Sequence, residues 1–188
     1  MTELVKIDSN GYSCYKTFLV KKVPCKKQEA NTDKCWQAAI FMILSYYIPS
    51  ITWKIIDEIK KIQSVNSFAI SDDITRVLTS TIASSKINCT YTKGIPDINF
   101  LITEIENERP ILITYLSYVE QTVTHFHAVV LTAIEYRKVD DKLQIYKMEC
   151  NDPWRYENDD ENNCSRIWEE ADAIERIKEF WSVSVTNF

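Results

Sequence analysis

The sequence predicts an α+β fold in which helices come first and an antiparallel sheet follows. Two observations carry that expectation. As far as Asn107, apolar residues recur at helical spacing, as in Ile55, Ile56, Ile59 and Ile62. After Arg109-Pro110 the pattern changes to the β-rich runs ILITYLSYV, HAVVLTAIEY and LQIYKMEC. Helices then strands indicate an α+β chain with a cleft where the two halves meet. The 188 residues are read as a single domain, with a helical half over about 24–108 and a β half over about 109–188 containing one late helix.

Taken in order, residues 12–23 (YSCYKTFLVKKV) read as a short strand, and Pro24 to Lys34 as a loop. Cys35–Tyr47 reads as a buried helix with the good formers Ala38, Ala39, Met42 and Leu44, stopped by Pro49. Thr52–Gln63 is a second helix. Ser71 precedes a third, lined by Ile74, Val77, Leu78 and Ile82, and Pro96–Asn107 is a fourth, with Pro96 in a favoured first-turn position. The last two β runs join across Val139-Asp140-Asp141-Lys142, a hairpin. A polar loop over 156–163 leads to a helix around Glu169–Glu179 and a final strand, WSVSV.

Composition removes several function classes. The net charge is −5 and no basic stripe occurs, so nucleic acid is not an expected partner. The two glycines, Gly11 and Gly94, supply no Gly-rich phosphate loop. No apolar run is long enough to span a membrane and Met1 opens no secretory signal, so the expectation is a protein that is cytoplasmic when made and has no membrane partner. The six cysteines (Cys14, Cys25, Cys35, Cys89, Cys150, Cys164) form no C-x-x-C pair and read as free thiols in a reducing compartment.

Cys35 stands where a polar run, QEANTDK, meets the apolar segment opened by Trp36. Thr32 and Asp33 are N-cap types, which puts Cys35 in the first helical turn. Unpaired N–H groups and the positive end of the macrodipole favour a nucleophilic thiolate at such a place. A thiolate needs a base, and the chain has just two histidines, His125 and His127, two apart at the start of an apolar β run. A third group should orient the imidazole. Strand alternation puts Tyr146, Met148, Cys150 and then Asp152 on an apolar face, with Lys147, Glu149 and Asn151 on the polar one. If Val139 pairs with Lys142, Val129 lies opposite Asp152, making Asp152 a diagonal neighbour of His127; a slip of one residue would hand the role to Asn151. The oxyanion of acyl transfer could be met by the Cys35 N–H and by the amide of Gln28.

With Cys35-Trp36-Gln37-Ala38, His127-Ala128-Val129-Val130 and Asp152-Pro153 in that order, preceded by Val23-Pro24 and Gln28, the chain resembles papain-like cysteine peptidases. The likeness is to the bacterial branch that includes C39-like peptidases and AvrRpt2-type effector proteases, and it covers roughly Val23 to Trp154. It implies a helical lobe carrying the cysteine packed on a β lobe carrying the histidine. It also implies Cys35 as nucleophile, His127 as base then acid, Asp152 as orienting residue and Gln28 as oxyanion-hole donor. Phe126 stands where the family often has glycine, which narrows the approach or makes His125 a competitor for the base. Trp36, Phe126 and Trp154 are candidate cleft-lining residues, with a core role as the alternative.

The resemblance implies a cysteine endopeptidase working through a thioester acyl-enzyme, without metal or cofactor, on a protein or peptide substrate. It further suggests a bacterial toxin or effector, delivered into another cell by a signal-peptide-independent route and paired with a neutralising immunity protein. Deamidation or other acyl transfer uses the same three groups. A non-catalytic binding module on this scaffold, and a zinc site built from His125, His127 and Cys150 or Cys164, are the remaining alternatives.

Overall fold

The computed structural model describes residues 2–8, 10–17, 20, 23–29, 32, 34–62, 71–79, 85–119, 123–154, 160, 163–169 and 177–187. They form β1 (Thr2–Ile7), β2 (Ser13–Thr17), α1 (Cys35–Tyr47), α2 (Trp53–Ile62), α3 (Ser71–Leu78), β3 (Ser85–Lys93), α4 (Ile98–Glu106), β4 (Ile111–Val119), β5 (Val123–Val139), β6 (Lys142–Asn151), β7 (Ser165–Glu169) and β8 (Ile177–Asn187). The class is α+β, as the sequence indicates, with helices packed on a large antiparallel sheet.

The sheet runs β1-β2-β5-β4-β8-β3, with β6 also on β5 and β7 on β6. The long β5 is its spine. Residues 123–131 pair with β4, 135–137 with β2, and 130–139 with β6 on the opposite edge. Alternation along these strands divides the core. Leu112, Ala128, Val130, Trp181 and Val183 pack with Ile40, Ile43, Leu44, Ile56, Val77 and Leu78 from α1, α2 and α3. Ile111, Ile113, Val129, Leu131 and Phe180 pack with Leu101 and Ile105 of α4. Each such fully buried aliphatic side chain contributes about 1.5–3 kcal/mol of burial free energy. Among the described residues no helix is long and apolar enough to cross a membrane.

The hairpin settles its register in an instructive way. Val139 pairs with Lys142 across Asp140 and Asp141, both at positive φ (48° and 60°), the left-handed backbone that a two-residue turn of this kind requires. Along the ladder β5 takes one extra residue at Thr132 and β6 takes one at Tyr146. The two bulges oppose and cancel, so at the far end Val130 pairs with Asn151, as the turn predicts. On the turn side of Tyr146 the alternation along β6 is displaced. Met148, Cys150 and Asp152 are buried as expected, but Ile145 replaces Tyr146 on that face, and the Tyr146 hydroxyl donates to Glu135 at 2.8 Å.

Several expectations are corrected. β1 and β3 precede the β half, and β3 lies inside the stretch read as helical, pairing with the last strand β8. Its Ile87, Cys89 and Tyr91 turn inward while Lys86, Asn88, Thr90 and Thr92 are exposed, an edge strand with one wet face. The late helix does not extend over Glu169 or Ile177–Glu179, which are strand; residues 170–176 lie outside the described residues, as do Asp33, Ile82 and 156–159. At α4 the cap is Asp97, whose carboxylate accepts from the N–H groups of Asn99 and Phe100, so Pro96 precedes the helix rather than opening its first turn.

The cysteines are not all free. Cys25 and Cys164, separated by 139 residues, are joined in a disulfide with a Cα–Cα distance of 5.4 Å. They meet because the 23–28 segment lies along 151–154, a proximity that linear spacing does not carry.

Candidate active site

Cys35 is the first residue of α1 and is half-buried. The cap position is Lys34, with no side-chain cap on the first turn; Thr32 directs its hydroxyl to the Glu29 carbonyl instead. The expected Thr32 cap is therefore not formed, and Asp33 lies outside the described residues. The first turn is anchored from behind, where Ala38 N–H reaches the Lys34 carbonyl and Trp36, Ala39 and Ile40 are buried. Two further thiols lie elsewhere in the fold, Cys89 on β3 and Cys150 on β6. Burial pushes the Cys89 thiol up to about 12. Burial, reinforced by the charges of Asp152 and Glu149, pushes Cys150 well above the usual thiol range. Both are held neutral and unreactive.

His127 comes from β5, paired with Tyr115 of β4, and is buried. Its Nε2 lies 2.7 Å from Oδ1 of Asp152, and Cys35 also acts electrostatically on the imidazole. With Nε2 committed to the carboxylate, Nδ1 is the nitrogen left for the sulfur. Two aromatic rings meet the imidazole edge-on, Tyr115 at 5.5 Å and Trp154 at 5.9 Å between centroids, and fix its plane. Burial opposes the charged ring, but its hydrogen bond to Asp152 and the electrostatic influence of Asp152 and Cys35 outweigh it, and His127 is pushed up to about 9.

Asp152 is fully buried just beyond β6. Its Oδ1 accepts from His127 and from the Trp154 N–H at 2.8 Å, while its own N–H donates to the Cys164 carbonyl at 2.8 Å. Asn151 is turned elsewhere, donating its amide to the Val23 carbonyl at 3.2 Å. The structure thus brings Cys35, His127 and Asp152 together, with Asp152 rather than Asn151 at the imidazole. The side chain of His125 lies outside the described residues, as do those of Thr122 and Thr124.

Gln28 is buried in the segment that leads to Cys35. Its N–H donates to the Pro153 carbonyl at 2.9 Å, and its carboxamide nitrogen donates to the Thr32 carbonyl at 2.6 Å. The three tryptophan and phenylalanine candidates separate. Phe126 and Trp154 are 62% and 46% exposed, whereas Trp36 is 4% exposed and belongs to the core. Cys164 is consumed in the disulfide, which removes it from the zinc alternative. Sequence reasoning missed Tyr115, Lys27 and Cys25. Lys27 is buried and donates to the Trp154 carbonyl at 2.9 Å. No local signal marks these positions; strand pairing and the course of the loop bring them in.

This geometry can be set beside known proteins. A family model described as papain-like cysteine protease AvrRpt2 matches residues 17–165, a span containing Gln28, Cys35, His127 and Asp152. No curated protein matches the chain.

Proposed function

The chain belongs to the papain-like cysteine protease family of AvrRpt2, and on that premise we propose that it is an endopeptidase using Cys35, His127 and Asp152. The observation that carries the reading is the 2.7 Å pair of His127 and Asp152, with Cys35 acting on the same imidazole from the head of α1. The helices carrying Cys35 and the sheet carrying His127 serve as the two walls of a papain-like cleft within one domain.

In the proposed reaction the Cys35 thiolate attacks the carbonyl carbon of a peptide bond. The resulting oxyanion is met by the Cys35 backbone N–H and the Gln28 carboxamide. The His127 imidazolium gives its proton to the leaving nitrogen, the C–N bond breaks, and a thioester remains on Cys35. Water then attacks the thioester, His127 takes its proton, and the acid product leaves with the thiolate restored. Asp152 accepts from Nε2–H throughout, holding the tautomer that leaves Nδ1 for the sulfur and the leaving group. Trp154, half-exposed and edge-on to His127, is placed to contact substrate.

The biological role we propose is that of a bacterial effector or toxin, made in the cytoplasm, delivered into another cell, cutting specific proteins there and held in check by an immunity protein in the producer. The deciding experiment maps products by mass spectrometry after incubation with a cell lysate, comparing the intact protein with Cys35→Ala. New peptide termini dependent on Cys35 support the endopeptidase. Conversion of Gln to Glu without backbone cleavage would replace it with a deamidase. Expression inside recipient cells should be toxic and Cys35→Ala harmless; toxicity that survives the substitution would favour a binding role.

A further inference from the structure

Two backbone segments wall in the Asp152 side of the site, 23–28 and 151–154. Three hydrogen bonds tie them: Asn151 to the Val23 carbonyl, Gln28 N–H to the Pro153 carbonyl, and the Lys27 ammonium to the Trp154 carbonyl. A third segment joins from the other side, where the Asp152 N–H donates to the Cys164 carbonyl at 2.8 Å. The Cys25–Cys164 disulfide closes this ring covalently. The residue that holds the backbone of Asp152 is therefore cross-linked to the segment that, three residues further on, carries Gln28.

We propose that the Cys25–Cys164 disulfide is a positioning element of the active site, holding the Asp152 carboxylate on His127 and the Gln28 amide in register, so that full turnover requires Cys25 and Cys164 oxidised while Cys35 is reduced. This rests on the endopeptidase reading above. Hydrogen bonds between surface-approaching segments exchange readily with water, whereas a covalent link does not. Misplacement of a catalytic group by ~1 Å costs on the order of 100-fold in rate.

The chemistry balances with a dithiol as reductant. Its thiolate attacks the half-buried Cys25 sulfur, Cys164 leaves as a thiolate and takes a proton, and a mixed disulfide forms on Cys25. The second thiol of the reductant displaces Cys25, two electrons pass to the protein, and the reductant departs as a cyclic disulfide. A cysteine protease without such a strap keeps or gains activity in reductant. This one should lose it, and in a reducing recipient cytosol it would turn over at the lower, reduced rate wherever the disulfide is opened.

The test uses the full chain, oxidised at Cys25 and Cys164, on a peptide substrate taken from the product map. Kinetics and far-UV circular dichroism are read before and after dithiothreitol. The expected result is a fall in kcat of about ten-fold with KM and the dichroism retained, recovery on reoxidation in air, and a Cys25→Ala/Cys164→Ala variant with low kcat that no longer responds to dithiothreitol. The proposal is overturned if reductant leaves kcat unchanged or raises it, if activity falls only in step with the dichroism, or if the folded double variant has full kcat. Failure of the underlying reading looks different: the untreated enzyme would cleave nothing, or Cys35→Ala would keep turnover.

Discussion

Nε2 of His127 lies 2.7 Å from Oδ1 of Asp152, and the same oxygen accepts the backbone N–H of Trp154, whose ring stands edge-on to the imidazole. One residue thus fixes both the acceptor and the ring it serves. Asp152→Ala should lower kcat by about 10²–10⁴-fold with little change in KM, since the interaction lost is the one that sets the imidazole tautomer. Asp152→Asn keeps an oxygen acceptor and should lose less. Steady-state kinetics of the two variants checks the order.

The proton on His127 sets a pH limit. Activity should fall along an alkaline limb near pH 9, where the imidazolium that protonates the leaving nitrogen is lost. The stability effect has the same sign. The folded pKa, about 9, exceeds the ordinary 6.5, so the folded state holds the proton more tightly. That contribution is complete below about pH 6.5 and disappears as pH rises through about 9. Urea denaturation at pH 6, 8 and 10 should show this loss in the wild type and not in His127→Ala; parallel curves would contradict it.

Gln28→Ala tests the oxyanion role. Removing a donor of this kind costs about 10²–10³-fold in kcat, with KM holding if the amide acts in the transition state. A variant that raises KM alone would assign Gln28 to ground-state binding.

Trp36 adjoins the nucleophile but is a core residue. Trp36→Ala should destabilise the protein by about 3–5 kcal/mol, measured by denaturant unfolding. Trp154→Ala should leave stability nearly unchanged and alter kinetics instead, because its ring is half-exposed and touches the imidazole.

What the sequence makes legible here is local. The apolar run behind Cys35 specifies α1, and Val139 to Lys142 specifies a hairpin whose register carries to Asn151. The face occupied by Asp152 follows from alternation near the end of β6, beyond the reach of the Tyr146 bulge. Features made by distant pairing are not legible in the same way. β1 is an edge strand whose Leu4 and Ile7 are exposed, so these two apolar residues mark no buried face to read. β3 does carry a period-two pattern, but its outward residues are polar and it is flanked by helices. Cys25 and Cys164 meet only once the loop before α1 lies along the end of β6, and nothing in their neighbours encodes that course. Tyr115 reaches His127 through strand register alone.

The paired bulges at Thr132 and Tyr146 have a practical corollary. Removing either one by itself would shift the pairing at Val130 by a residue, while lengthening the tip leaves that pairing in place. Asp140 lies ten residues from Val130 and Asp141 ten from Asn151, roughly 30 Å at strand rise. A fluorophore, affinity tag or fused domain grafted there would report on the molecule without disturbing its chemistry.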